Sequence, residues 1–340
     1  MAKSTRPLGI SLVTLAAALI LSVAVGAVYI EPAVIWKILA AGGNGAGSSW
    51  PGSYGVIVWQ VRLPHTILIA LTGAALASSG AAYQGLFRNP LSDPYLIGVA
   101  SGAGLGAVMA LSIRWPEGFS GYLLIPAAAF LGALATVTLV YQLARVGKTL
   151  PLTTLILAGV AVGAFASAVT SFLMLRSDEQ IYRALSFLFG GSPVSGWMPV
   201  WSSLPYMLLG MGLLAASGHA LNVLQFGDEQ AAQMGLQVEK AKRFVIVTAS
   251  LTAAGAVAFS GVIGFIGLIV PHIYRMAAGA DYRRLMPLSM LGGAAALLLA
   301  DVLGRVLLAP QSLPVGIVTA LAGAPFFLWI LRRAKVEVFW

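Results

Sequence analysis

Long apolar runs alternate with short polar breaks along the whole chain. They lie near residues 8–30, 63–83, 95–113, 122–144, 152–175 and 197–218, then 244–279, 286–308 and 314–331. Runs of about 18 residues or more are long enough, as helices, to cross a bilayer core. Period-two segments of about ten residues, the mark of a membrane β-barrel, are missing. In lipid every backbone polar group needs an internal partner, so the pattern predicts packed helices. The run 244–279 is different. Its 36 residues would make a helix of about 54 Å against an apolar core of about 30 Å. Gly261, Gly264 and Gly267 stand in its middle, where glycine weakens a helix and permits a turn.

Charge resolves the run. "EKAKR" (Glu239–Arg243) precedes it and "YRMAAGADYRR" (Tyr274–Arg284) closes it. Both flanks are basic, which places both in the cytoplasm. The run then crosses twice, as 244–260 and 263–279 around Ser260–Gly264. The expected fold is all-α and polytopic, a single transmembrane domain over 1–340 with ten spans and both termini cytoplasmic. Only Lys37, Arg62, Arg114, Arg176, Arg183 and Arg305 then fall outside, leaving 14 of the 20 basic residues inside. Leu8–Ile30 exceeds a signal-peptide core of about 7–15 residues and is expected to be a retained span.

Composition agrees: 59% hydrophobic and 9% charged, against about 25% charged in a soluble domain. The net charge of +9 reads as positive-inside bias, not as nucleic-acid binding. With no cysteine and only His65, His219 and His272, neither a thiolate site nor a metal motif arises. "GKT" at Gly147–Thr149 has Gln142 where a phosphate-binding loop needs its first glycine, so no nucleotide site is read. No catalytic constellation emerges.

Several polar segments stand out. Gln225–Arg243 is the longest inside loop. Asp228 and Glu229 suit a first helical turn, and Gly235 a helix stop. Composition leaves a plain solvated loop equally open. Arg62 and His65 lie three apart, on one helix face, after Trp59. Asp301 and Arg305 lie four apart and form an expected pair; as an intramembrane acid, Asp301 also suits an ion relay. Asp178–Phe189 reads as a short outer helix capped by Ser177, with Ile181, Leu185 and Leu188 on one face. In "GLFRNPLSDPYLIG" (Gly85–Gly98), Pro90 and Pro94 hold the backbone as a stiff turn.

The stretch from Arg62 to Ala107, "RLPHTILIALTGAALASSGAAYQGLFRNPLSDPYLIGVASGAGLGA", resembles spans of the bacterial iron-chelate and cobalamin permeases. So do Gly261–Arg305 and "LPVGIVTALAGAPFFLWILRR" (Leu313–Arg333). These are membrane subunits of type II ABC importers. The resemblance implies a homodimer in the cytoplasmic (inner) membrane and two cytoplasmic ATPases that hold the ATP and Mg. It also implies a periplasmic or lipid-tethered binding protein. Cofactors bound by this chain itself are not expected, and the cargo would be a ferric siderophore, haem or cobalamin. Gly227, Asp228, Glu229, Ala232 and Gly235 match coupling helices, between spans six and seven, that dock on the ATPase. Arg62, His65 and Arg305 match binding-protein contacts. Asn89, Pro90 and Leu91, with Leu152 and Thr153, match an inner gate. Gly159, Gly163 and Ala166 would line the path or let helices approach. The competing reading is an ion-gradient-driven secondary transporter.

Overall fold

The computed structural model describes residues 6–42, 50–113, 123–147, 149–176, 181–192, 195–309 and 311–338. The expected cap Ser177, the acids Asp178 and Glu179, and the basic residues Arg114 and Lys148 lie outside them. The helices are α1 (Arg6–Ala24), α2 (Pro32–Ala40), α3 (Gly52–Val56), α4 (Leu63–Leu86), α5 (Val99–Ser112), α6 (Leu124–Ala144), α7 (Leu152–Leu175) and α8 (Ile181–Leu188). They continue as α9 (Trp197–Ala216), α10 (Gly218–Leu224), α11 (Asp228–Gln233), α12 (Val238–Ser260), α13 (Ile266–Ala278), α14 (Tyr282–Leu307) and α15 (Val315–Val338). Among the described residues, 7 helices are long and apolar enough to cross a membrane, with shorter apolar helices at Val99–Ser112, Ile266–Ala278 and Val315–Ile330. The protein is therefore a multi-pass membrane protein.

The centre is α4, joined through a π-helical turn (Ile57–Arg62) to α3 as one 35-residue helix, Gly52–Leu86. It packs against α9, α12, α13 and α14. Its small residues permit this. A Cβ on Gly73 would fall into the Gly293 carbonyl, and one on Gly80 into the Gly267 carbonyl. Helices associate in lipid through such close approach, because burial of apolar surface supplies no drive there. Polar side chains pair across the same contacts: Thr72 Oγ1 with Ser260 Oγ at 2.6 Å, and Tyr83 OH with Ser250 Oγ at 2.7 Å.

The glycine-marked run does break, between α12 and α13, at Gly261–Phe265. Gly261 (φ 75) and Phe265 (φ 70) carry the turn in the left-handed region. The broken backbone is satisfied by its neighbours. Val262 N donates to Phe187 O at 3.0 Å, and Tyr95 OH donates to Ile263 O at 2.8 Å. Ser192 Oγ donates to Phe259 O at 2.8 Å. Irregular backbone at this depth is tolerated only where protein surrounds it. With 13 residues, α13 is only about 20 Å long, short of the full apolar core.

Two boundaries differ from expectation. The first span ends at Ala24, and α2 follows as a separate element. The third expected span opens with a 3-10 turn, Pro94–Ile97, and turns into α5 at Gly98 (φ 85). In α8 the fully covered residues are Ala184 and Phe187, and the expected shared face of Ile181, Leu185 and Leu188 is half-covered throughout. The break at Val262 sits against Phe187, whose carbonyl takes the Val262 amide.

Candidate functional site

At the polar-loop end, Gln225–Arg243 folds as a short exposed helix, α11, followed by the first turns of α12 from Val238. Gly227 (φ 102) makes the turn into it, and Gly235 (φ 86) the turn out. Leu236 N donates to Ala231 O at 3.0 Å and Gly235 N to Ala232 O at 2.9 Å. This is a glycine-terminated helix end with both orphan carbonyls satisfied. Asp228 and Glu229 occupy the first turn, where the helix dipole favours anions. The solvated-loop alternative is thus excluded for this segment. Ala231 is buried, while Glu229, Ala232 and Gly235 are exposed. Phe226 and Met234, both exposed large apolar side chains, flank the helix.

Asp228 joins this helix to two other elements. Its Oδ2 takes Lys242 Nζ of α12 at 2.5 Å, and its Oδ1 stands 3.9 Å from Arg88 Nη2. Arg88 opens the loop after α4, with φ 51. Sequence reading missed this link because the partners are far apart along the chain. The loop itself is tightly turned. Asn89 N donates to Gln84 O at 3.1 Å, and Leu91 N to Asn89 Oδ1 at 2.9 Å. Asp93 Oδ1 accepts from Tyr95 N at 2.8 Å and caps the 3-10 turn. Burial pushes the Asp93 carboxyl up to about 6, against the pull of that amide. Pro90 and Leu91 are half-covered and Asn89 is exposed. Leu152 and Thr153 begin α7, half-covered and exposed respectively, after Pro151.

Gly159, Gly163 and Ala166 serve close approach of helices. A Cβ on Gly159 would fall into the Leu96 carbonyl, one on Gly163 would stand 3.2 Å from Ser101 Oγ, and Ala166 is buried. The open face of α7 carries Leu157, Val160, Phe165 and Phe172 instead. Gly159 and its neighbours seat α7 on α5 and the 3-10 turn.

At the opposite end, the three expected docking residues are knitted into the subunit. Arg62 is only 6% exposed. Its Nη1 donates to Val23 O at 2.6 Å and Ala24 O at 2.9 Å, and its Nη2 donates to Val28 O. Arg305 Nη1 donates to Val25 O at 2.8 Å and Ser22 O at 3.1 Å. The last carbonyls of α1 lack helical partners, and two guanidinium groups supply them. The expected Asp301–Arg305 pair is present, Oδ2 to Nη2 at 2.9 Å. His65 Nε2 adds a second contact to Asp301 Oδ1 at 2.9 Å. Sequence reading missed it across 236 positions. His65 keeps 36% of its side chain exposed, so of the three it offers the most accessible surface. Asp301→Asn leaves the Arg305 guanidinium without its counter-charge, and removal of one partner from a buried pair costs about 3–5 kcal/mol. A clear drop in the thermal midpoint of the detergent-solubilised protein is expected; an unchanged midpoint would show that the carbonyls alone satisfy Arg305.

The FecCD transport family matches residues 14–333. The chain belongs to that family. Among relatives of this FecCD chain, the cobalamin import permease BtuC of Halobacterium salinarum is 44% identical, over 84% of this chain and 76% of its own length. The hemin transport permease HmuU of Yersinia pestis is 41% identical, covering 89% and 95% of the two chains. An ABC transporter permease of Bacillus subtilis, YvrB, is 41% identical over 94% and 91%. In three dimensions the chain is similar to a metal-chelate type ABC transporter solved in an inward-facing conformation, with a TM-score of 0.80, 30% identity and 96% and 98% coverage.

Proposed function

We propose that this FecCD chain is the permease subunit of an ATP-driven importer. It moves a bulky metal chelate, ferric siderophore or haem, or cobalamin, across the cytoplasmic membrane by alternating access. It works as a homodimer of ten-span subunits with both termini in the cytoplasm. The seven long apolar helices and the three shorter ones support that span count. Two cytoplasmic ATPases bind ATP and Mg, and a periplasmic or lipid-tethered protein delivers the cargo.

The observation that carries the reading is the Arg88–Asp228–Lys242 link. It ties an exposed helix with apolar flanks, suited to a partner protein, to the loop Asn89–Leu91. Movement of α11 by an ATPase then reaches that loop through one carboxylate. Asn89, Pro90 and Leu91, with Leu152 and Thr153, form the inner gate, and the open face of α7 meets the central path. His65 is the accessible contact for the binding protein, with Arg62 and Arg305 holding the surface beneath it.

Asp301 was the acid available to a gradient-driven mechanism. It is occupied by His65 and Arg305, which removes the support for that reading. The assembled transporter in proteoliposomes is expected to accumulate cargo only with an active ATPase. Accumulation that persists with a hydrolysis-dead ATPase would overturn the proposal.

A further inference from the structure

An apolar groove of about 400 Å³ runs along the outer face of the subunit between α1, α4, α9 and α14. Its walls are α1, through Leu15, and α9, through Leu208, Met211 and Gly212; α4 and α14 form its floor with Leu71 and Met290. Every lining residue is apolar. At this depth the medium is hydrocarbon, so the groove is filled by an alkyl chain and not by water. Its length along the helices is set by positions 208 to 215 on α9 and 290 to 294 on α14.

The α9 and α14 sides of the groove both lead to a basic patch. On α14, Met290 and Ala294 repeat back through Pro287 to Arg283, at spacings of three and four residues that keep one face. On the other side, Gly212 and Ala215 repeat forward to His219, across the bend at Ser217 where α10 continues α9. His219 lies four residues, about 6 Å, beyond the groove on its side, and Arg283 seven residues, about 10.5 Å, beyond it on the other. The two segments pack together there: a Cβ on Gly218, next to His219, would stand 3.1 Å from the Arg283 backbone. Both are exposed. Asp281, two positions before Arg283, accepts from Asn222 Nδ2 at 2.7 Å and from the Arg283 amide at 3.1 Å. Among the described residues no ion pair involves the Arg283 guanidinium.

We infer that the groove with Arg283 and His219 is a binding site for one anionic phospholipid, its acyl chain between α1 and α9 and its phosphate at Arg283. The lipid comes from the leaflet on the side of the Gln225–Arg243 loop. The charge decides this occupant. A second transmembrane helix would fill an apolar groove equally well, but gains nothing from an unpaired cation at one end. The separation of groove and cation matches the span from an acyl chain to its own headgroup. The site lies away from α7 and its open face, and it does not depend on the importer reading.

The test uses the purified full-length protein, delipidated in detergent, with phosphatidylglycerol and phosphatidylcholine of identical chains as probes. Native mass spectrometry counts lipid bound per chain. One phosphatidylglycerol is expected to bind in preference to phosphatidylcholine, by about fivefold, the value of roughly one basic side chain at a membrane surface. Arg283→Ala should remove that preference and keep acyl-chain binding. Gly212→Leu should remove binding of both lipids. A Cβ at Gly212 meets nothing within 4 Å, so that variant fills the groove without disturbing the fold. Equal binding of the two lipids by the native protein would overturn the proposal, as would Gly212→Leu with undiminished phosphatidylglycerol. The chain has Cys 0, so Gly212→Cys carries a unique thiol for cross-linking in native membranes. Capture of a polypeptide there, in place of lipid, would also overturn it.

Discussion

Asp228→Lys should abolish transport while the protein still reaches the membrane. The native carboxylate holds Lys242, only 4% exposed on its side chain, and stands beside Arg88. The variant gathers three cations in one place and leaves the Lys242 ammonium with Glu239 alone, at 3.6 Å, as its counter-charge. Asp228 itself is 44% exposed, so solvent screens part of the repulsion. The effect therefore falls on the position of α11 more than on the fold. A docking surface that loses about 1.4 kcal/mol loses tenfold in affinity. Co-purification of the ATPase should fall at least that far, and cargo uptake with it. Arg88→Gln separates docking from transmission. It keeps the Lys242–Asp228 pair and the exposed face of α11, so the ATPase should still bind. Uptake per ATP hydrolysed should drop. Unchanged coupling in Arg88→Gln would show that movement reaches the Asn89–Leu91 loop by another route.

Gly80→Val should prevent the subunit from folding properly. The added carbons fall into the Gly267 carbonyl at the start of α13. Neither backbone can retreat: Gln84 Nε2 holds Leu268 O at 3.0 Å, and Thr72 holds Ser260 on the far side of the break. Overpacking of a rigid contact costs about 3 kcal/mol or somewhat more. The solubilised protein should aggregate on size-exclusion chromatography, whereas Gly9→Val, where a Cβ meets nothing within 4 Å, should elute like the native chain. A monodisperse Gly80→Val protein with native thermal midpoint would show that α4 and α13 can separate.

Much of this was legible from local chemistry. The apolar runs mark the long helices because a spanning segment must satisfy its own backbone and be apolar over its full length. The over-long run 244–279 announced its own break, since glycine was the residue type able to turn there. The Asp301–Arg305 pair and the glycine stop after α11 were visible for the same reason: both are interactions within about one helical turn.

The sequence by itself determined an all-helical membrane protein, its helix-rich order, the broken run and the helix at Asp228. All are set by residues within a few positions of one another. Tertiary structure alone decided what the polar side chains do. Arg62, expected to face a partner, turns inward because the last carbonyls of α1 lie beside it and have no helical donors. Gly159 and Ala166 seat α7 on its own subunit because small residues mark contact without saying with which helix. His65 finds Asp301, and Arg88 finds Asp228, only when distant segments are brought together. A short-range pattern fixes a helix and its ends; the partner of a charge depends on which helices pack side by side.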